Sequence, residues 1–131
     1  MTPNVEPRRH SWPRKLRWAS RGVASAIRAE RNFQVHLAMA VTVVVAAALV
    51  RASLVEWCLL VLCTAVVLAA EMFNTALEHL ARAITRDHSD EIKDALDTSG
   101  GAVLLAAIGA ALVGIAVFGR SLGVLCEWWN G

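Results

Sequence analysis

The sequence predicts an all-α membrane protein with an N-terminal amphipathic surface helix and three transmembrane helices. Of its 131 residues, 56% are apolar and only 18% are charged, which is too apolar for a soluble domain of this size. The apolar residues form three long blocks instead of amphipathic stripes. Eight of the thirteen Lys and Arg residues precede the first block, so basic charge is concentrated at the N-terminal side.

The N-terminal third begins with a tail and continues as a helix. Residues 1–10 contain two prolines and few apolar side chains, and we expect them to be disordered. A helix over 13–31 can begin at Ser11, with a capping hydroxyl and Pro13 in its first turn. Its apolar residues recur at helical spacing: Trp12, Leu16, Ala19, Val23 and Ile27. A basic amphipathic helix of this kind lies on an anionic membrane surface, and the alternative is packing against protein with solvated arginines.

Three membrane spans follow, at 33–50, 55–80 and 97–119, within a membrane domain over 11–120. The first has 18 residues between Arg31 and Arg51, enough to cross an apolar core of about 30 Å. Arg120 closes the third span and leaves 121–131 as an outer tail. Small residues recur every four positions in the third span and predict close helix packing: Ala102, Ala106, Ala110 and Gly114.

Basic charge also predicts the orientation. The N-terminal segment and the connection over 81–97 carry most of the Lys and Arg residues, whereas the turn over 51–53 carries one. The positive-inside rule therefore places the N-terminus and the 81–97 connection in the cytoplasm and the C-terminus outside.

The second span carries polar residues on one face. Glu71, Asn74 and Glu78 lie at offsets of three and seven, which fall within about 60° on a helix because each residue turns about 100°. Ionisable groups inside a membrane are costly and usually face protein or a water-filled cavity. The sequence therefore predicts the active site on this face.

Acids from three segments are expected at one cytoplasmic rim. Glu30 precedes the first span, Glu78 ends the second, and Asp97 opens the third. Carboxylates at a water-accessible rim suit Mg²⁺, which uses one or two of them together with phosphate oxygens and water. Glu71 lies about 10 Å deeper, where desolvation disfavours the charged form of a carboxyl. Such a group can accept a proton from a hydroxyl.

Ion-holding carboxylates above a buried base suit phosphorylation of a lipid hydroxyl at the bilayer surface. The chain has no G-x-x-x-x-G-K-[ST] loop and no protein-kinase H-R-D or D-F-G motif. From the residues alone, a transporter subunit and a small structural membrane protein stay open, because intramembrane acids also mark ion pathways.

Three runs carry a family resemblance: Glu30–Leu37 (ERNFQVHL), Ala70–Glu78 (AEMFNTALE) and Asp97–Leu104 (DTSGGAVL). Their order and spacing resemble the prokaryotic diacylglycerol kinase family, which includes undecaprenol kinases, over about residues 14–120. The E-x-x-N-x-x-x-E pattern in a span, with E-R-N-F before the first span, is a specific signal.

The resemblance implies an enzyme that transfers the γ-phosphoryl group of MgATP to the hydroxyl of a membrane lipid alcohol. Diacylglycerol is the first expectation, giving phosphatidic acid, and undecaprenol is the alternative. The resemblance also implies a homotrimer of the inner membrane with active sites shared between subunits, and no nucleic-acid partner. A non-catalytic membrane scaffold is the alternative of another class.

Residue roles follow from the resemblance by position. Glu71 is the expected general base, supported by Asn74, and Glu30 and Glu78 are expected to hold the Mg²⁺ that accompanies ATP. The expected nucleotide-binding residues are Trp18, Glu30, Glu78, Asp87, His88, Ser89, Lys93 and Asp97. The expected lipid-binding residues are Asn32, Glu71 and Gly100. His36 and His79 are given no role.

Two positions depart from the family pattern on the nucleotide side. The family commonly has Lys where this chain has Leu96, and often has Tyr where it has His88. Lys93 lies one helical turn before Leu96, and we expect its ammonium to replace the missing one. Leu96 is also the feature that favours the scaffold alternative.

Overall fold

Four helices form the part of the chain that the computed structural model describes, residues 11–84 and 89–130. They are α1 (Trp12–Ala29), α2 (Arg31–Leu49), α3 (Leu54–Ile84) and α4 (Asp90–Asn130). Three helical segments are long and apolar enough to cross a membrane: Arg31–Leu49, Leu54–Ile84 and Asp90–Ser121. The all-helical fold is confirmed, and so is the presence of three helices able to span a membrane. The tail predicted over 1–10 lies outside the described residues.

A single extended residue separates α1 from α2. Glu30 has φ −105° and ψ 110°, so the backbone leaves the helix there and re-enters it at Arg31. The Glu30 amide still donates to the Ala26 carbonyl, and the Gln34 side chain donates to the Ile27 carbonyl at 3.0 Å. These bonds fix the corner. At the other end of α1, the Ser11 hydroxyl does not form the predicted capping hydrogen bond, although its carbonyl accepts from the amide of Arg14.

The turn between α2 and α3 is closed by local hydrogen bonds. Arg51 adopts φ 53°, and the amides of Arg51 and Ala52 donate to the carbonyls of Ala48 and Ala47, as in a Schellman motif. Ser53 then caps α3. Its amide donates to Glu56 Oε2 at 2.7 Å, and the Glu56 amide lies 3.4 Å from the Ser53 hydroxyl, which is a capping box.

The end of the bundle beside this turn contains an apolar cluster and an ion pair. Ala47, Leu60 and Val117 are buried together, one from each spanning helix. Next to them, the Arg120 guanidinium lies 2.6 Å from Glu56 Oε1 through Nη2 and 3.1 Å through Nε. The pair joins the start of α3 to α4, two helices that pack extensively on each other.

The fourth helix begins before the apolar block that predicts the third span. Asp90 opens α4 because Ser89 caps it: the Ser89 hydroxyl lies 3.3 Å from the Ile92 amide, and its carbonyl accepts from Lys93. Because α3 runs to Ile84, most of the polar 81–97 connection is helical. Capping groups determine these ends, whereas the apolar pattern predicts only the spans.

The spanning helices leave many large apolar side chains on the surface. Leu49, Leu105 and Ile115 are 79%, 72% and 69% exposed, and the buried apolar core is small. Exposed apolar area of this extent requires lipid or further protein to cover it.

Arg120→Ala is expected to lower the Tm by several degrees, because it leaves the buried Glu56 carboxylate without its guanidinium partner. Arg51→Gly removes an arginine from the same end and is the matched control. Glycine adopts positive φ without the cost of about 1 kcal/mol that other residues pay, so the Tm should hold or rise. Thermal melting in detergent measures both. Equal melting of R120A and the wild type would contradict the role of the ion pair.

Candidate active site

The polar face of α3 is shielded from the surroundings by the neighbouring helices. Glu71 is 3% exposed and Asn74 is 8% exposed, in a helix whose other residues are mostly apolar. Glu78, two turns after Glu71, is half-buried near the end of α3. The predicted alignment of these three residues therefore corresponds to a real interior face.

The Asn74 carboxamide is engaged at both ends. Its Nδ2 donates to Glu78 Oε1 at 2.8 Å, and its Oδ1 lies 2.7 Å from the Ser99 hydroxyl on α4. The same hydroxyl lies 2.9 Å from the Leu96 carbonyl. This chain of contacts fixes the amide orientation and ties the site on α3 to α4.

Glu71 has a different environment. Among the described residues none donates a hydrogen bond to its carboxylate. His36 on α2 faces it, with Nε2 3.8 Å from Glu71 Oε2. An ionisable group inside a helix that can span a membrane is costly for stability alone, which indicates a functional role.

A cavity of about 260 Å³, which we call the inner cavity, opens beside Glu71. Residues from α2, α3 and α4 line it: Asn32, Val35, His36, Glu71, Asn74, Gly100 and Val103. All three residues expected to meet the lipid, Asn32, Glu71 and Gly100, are among them. A β-carbon at Gly100 would meet nothing within 4 Å, so the glycine leaves open space there.

A second cavity of about 490 Å³, the rim cleft, adjoins the first. Its lining comes from the end of α3 and the start of the apolar part of α4: Asn74, Glu78, Ala81, Arg82, Leu96, Asp97 and Gly100. Asn74 and Gly100 therefore line both cavities. The rim cleft is also lined by a positively charged side chain: Arg82, whose Nη1 lies 3.9 Å from Glu78 Oε2.

Sequence comparison identifies the family. The profile described as "Prokaryotic diacylglycerol kinase" matches residues 17–118. The chain belongs to the prokaryotic diacylglycerol kinase family. It is 37% identical over 100 residues to the undecaprenol kinase of Bacillus subtilis (strain 168), covering 76% of this chain and 81% of that one. It is also 37% identical over 100 residues to the diacylglycerol kinase of Synechocystis sp., and the match covers 57% of that chain. No solved structure matches significantly. The protein is a lipid kinase.

A kinase of this family uses ATP with a metal ion, and the rim carboxylates are suitable donors. Glu30 Oε1 lies 2.9 Å from His79 Nε2, so Glu30 lies beside the turn of α3 that carries His79 and Glu78. Glu30 is not among the residues that line the rim cleft. Within residues 11–84 and 89–130 no three His, Cys, Asp or Glu side chains are grouped to hold a metal by themselves. One or two carboxylates suffice for an ion that arrives with phosphate oxygens and water.

Of the remaining predicted nucleotide residues that the structure describes, Asp97 lines a cavity and the others do not. Lys93 and Asp97 pair at 3.9 Å on the exposed side of α4, and of these two only Asp97 lines the rim cleft. Ser89 caps α4, and Trp18 lies half-exposed on α1. Asp87 and His88 lie outside the described residues.

Sequence reasoning missed three polar residues of the kinase: His36, Ser99 and His79. His36 lies four residues after Asn32, hence on the same helix face, and this spacing was a usable signal. Ser99 lies inside one of the family-like runs, but nothing in the sequence shows that its hydroxyl contacts Asn74. The pairing of His79 with Glu30 depends on how the corner at Glu30 sits against α3, which spacing does not reveal.

Ser99→Ala is expected to lower both kcat and Tm, because it leaves the buried Asn74 Oδ1 without its donor. An unsatisfied buried group costs about 1–3 kcal/mol. Thr98→Ala is the matched control, since the exposed Thr98 hydroxyl donates to the Asp94 carbonyl of its own helix and has no other hydrogen bond to a described residue. Kinetics and melting should show a loss for S99A alone. Unchanged kinetics in S99A would contradict a supporting role for the Asn74 orientation.

Proposed function

We propose that the kinase transfers the γ-phosphoryl group of MgATP to the hydroxyl of diacylglycerol, giving phosphatidic acid. One observation carries the proposal: the inner cavity and the rim cleft share Asn74 and Gly100 in their linings. The inner cavity is lined by the buried Glu71 carboxylate, and the rim cleft is lined by two further carboxylates and an arginine. A lipid hydroxyl and a nucleotide approaching from opposite sides would meet at this shared wall. The reaction then depends on positioning and on neutralising phosphate charge.

Glu71 is the proposed base. Its carboxylate is free of internal hydrogen bonds within the described structure and faces the inner cavity, where it can accept the proton of a lipid hydroxyl. The hydroxyl oxygen then bonds to the γ-phosphorus, and the bond from that phosphorus to the β-phosphate bridging oxygen breaks. Asn74, held by Glu78 and Ser99, provides a rigid polar wall between base and nucleotide.

Glu78 and Glu30 are the proposed carboxylates for Mg²⁺, which when bound offsets phosphate charge. In the structure each already has a protein partner. Glu78 contacts Asn74 through Oε1 and Arg82 through Oε2, and Glu30 contacts His79. These contacts keep the oxygens in place at the rim. Asp97, at the opposite wall of the rim cleft, completes the acidic border.

We place the kinase in the inner membrane, with α1 on the cytoplasmic surface and the C-terminus outside, as the basic N-terminal segment favours. The two cavities then open near the cytoplasmic surface, where ATP is available. The exposed apolar faces of the spanning helices support assembly as a homotrimer with shared sites.

Undecaprenol is the second candidate acceptor. It is favoured by the match to an undecaprenol kinase over 81% of that relative's length, whereas the match to a diacylglycerol kinase covers 57% of its length. Both lipids end in a hydroxyl on an apolar body, so the inner cavity alone does not separate them.

Glu71→Gln is expected to abolish lipid phosphorylation, because the amide keeps the shape of the side chain but cannot accept the proton. Purified wild type and E71Q are assayed with labelled ATP and with each lipid separately, after the oligomer is shown to be intact. The lipid phosphorylated by the wild type identifies the acceptor. Full activity in E71Q would remove the proposed base, and an intact wild type that labels neither lipid would favour a scaffold.

Two cations are candidates for the role of the lysine that Leu96 replaces. Arg82 lines the rim cleft, whereas Lys93 pairs with Asp97, which lines it. Both Arg82→Ala and Lys93→Ala should raise KM for ATP, and R82A should raise it more. Initial-rate kinetics at saturating lipid measure the two constants. An unchanged KM in K93A would exclude Lys93 as the substitute, and an unchanged KM in R82A would exclude Arg82.

A further inference from the structure

His36 lies where a polar cavity meets an apolar one. Its Nε2 is 3.8 Å from Glu71 Oε2, and the two side chains are 21% and 4% exposed. It lines the inner cavity with Glu71 and also lines a separate groove of about 570 Å³ between α2, α3 and α4. Side chains such as Met39, Val43 and Leu68 make that groove almost wholly apolar. Beyond His36, therefore, polar partners become scarce.

The gap between His36 and Glu71 is too long for a hydrogen bond and suits a bridging oxygen. Direct N–H···O bonds span about 2.7–3.2 Å, whereas these atoms are 3.8 Å apart. An oxygen lying off the line between them can be about 2.8 Å from both. A hydroxyl at that point donates its proton to the carboxylate while accepting from an imidazole N–H.

Other polar groups around the inner cavity are less suited to this contact. The Asn74 amide is occupied by Glu78 and Ser99. Asn32 is exposed at the first turn of α2, one turn before His36. Among the described residues, His36 is the basic side chain within 4 Å of the Glu71 carboxylate.

We propose that His36 is a substrate-orienting residue of this kinase, which holds the acceptor hydroxyl against Glu71 by donating a hydrogen bond from Nε2. The inference rests on the proposed lipid kinase reaction. The hydroxyl proton moves to Glu71, the hydroxyl oxygen uses the released electron pair to bond to the γ-phosphorus, and ADP leaves with the electrons of the broken P–O bond. His36 keeps its N–H proton throughout, and its hydrogen bond points an oxygen lone pair at the phosphorus.

A purely structural His36–Glu71 ion pair makes different predictions. An ion pair requires a charged side chain, so glutamine could not replace His36. A hydrogen-bond donor requires only an N–H at the right distance, and the glutamine Nε2 provides one. His36→Gln thus separates the two roles.

The test compares His36→Gln, His36→Leu and the control Thr42→Val with the wild type. Thr42 lies on α2 with its exposed hydroxyl bonded to the Ala38 carbonyl, away from both cavities. Each protein is assayed for kcat and KM with diacylglycerol, undecaprenol and ATP, and its Tm is recorded. H36L is expected to lose roughly 10- to 100-fold in kcat/KM for the lipid at an unchanged KM for ATP. H36Q should stay within several-fold of the wild type, and T42V should match it.

Wild-type kinetics in a folded H36L, or losses in a folded H36Q as large as those in H36L, would overturn the proposal. If H36L does not fold, His36→Asn replaces it, because that amide ends one methylene short of the hydroxyl and should lose activity where H36Q retains it. A wild type that phosphorylates neither lipid would overturn the kinase reaction itself. Activity in the wild type together with normal H36L would overturn only the role of His36.

Discussion

The polar face of α3 cannot be left facing hydrocarbon, and the contacts that shield it organise the rest of the bundle. Asn74 satisfies this constraint most completely, with its amide bonded to Glu78 on its own helix and to Ser99 on α4. These bonds set how α4 is rotated against α3. The same rotation brings Gly100 next to Asn74, where its missing side chain keeps the two cavities in contact. The contacts of Asn74 that pack α4 on α3 therefore also shape the candidate site.

Stability and chemistry are separated along α3. At one end Glu56 has four polar contacts, from the Ser53 amide and hydroxyl and from two Arg120 nitrogens, beside a buried apolar cluster. Four turns later Glu71 is as buried but receives no hydrogen bond from the described residues. The Glu56 carboxylate is used in contacts within the fold, whereas we propose that the Glu71 carboxylate is available to the substrate. The inner cavity and the rim cleft lie at the end of α3 that lacks these contacts.

The sequence predicts the parts of this arrangement that depend on periodicity within one helix. The three spans and the shared face of Glu71, Asn74 and Glu78 follow from apolar length and from the turn of about 100° per residue. Contacts between helices do not follow, because rotation and depth are set by packing. His36 against Glu71 and Ser99 against Asn74 are of this kind, and so is Glu30 against His79. The start of α4 at Asp90 was also not predicted, because the Ser89 cap starts the helix several residues before the apolar block.

In the proposed mechanism, the Glu71 carboxylate meets the lipid hydroxyl at the wall shared by the two cavities. A structure of the kinase bound to a lipid alcohol and a non-hydrolysable ATP analogue tests it most directly. We expect the hydroxyl oxygen within about 3 Å of a Glu71 oxygen, with the terminal phosphate in the rim cleft between Glu78 and Asp97. A hydroxyl bound elsewhere, with Glu71 turned outward to acyl chains, would contradict it.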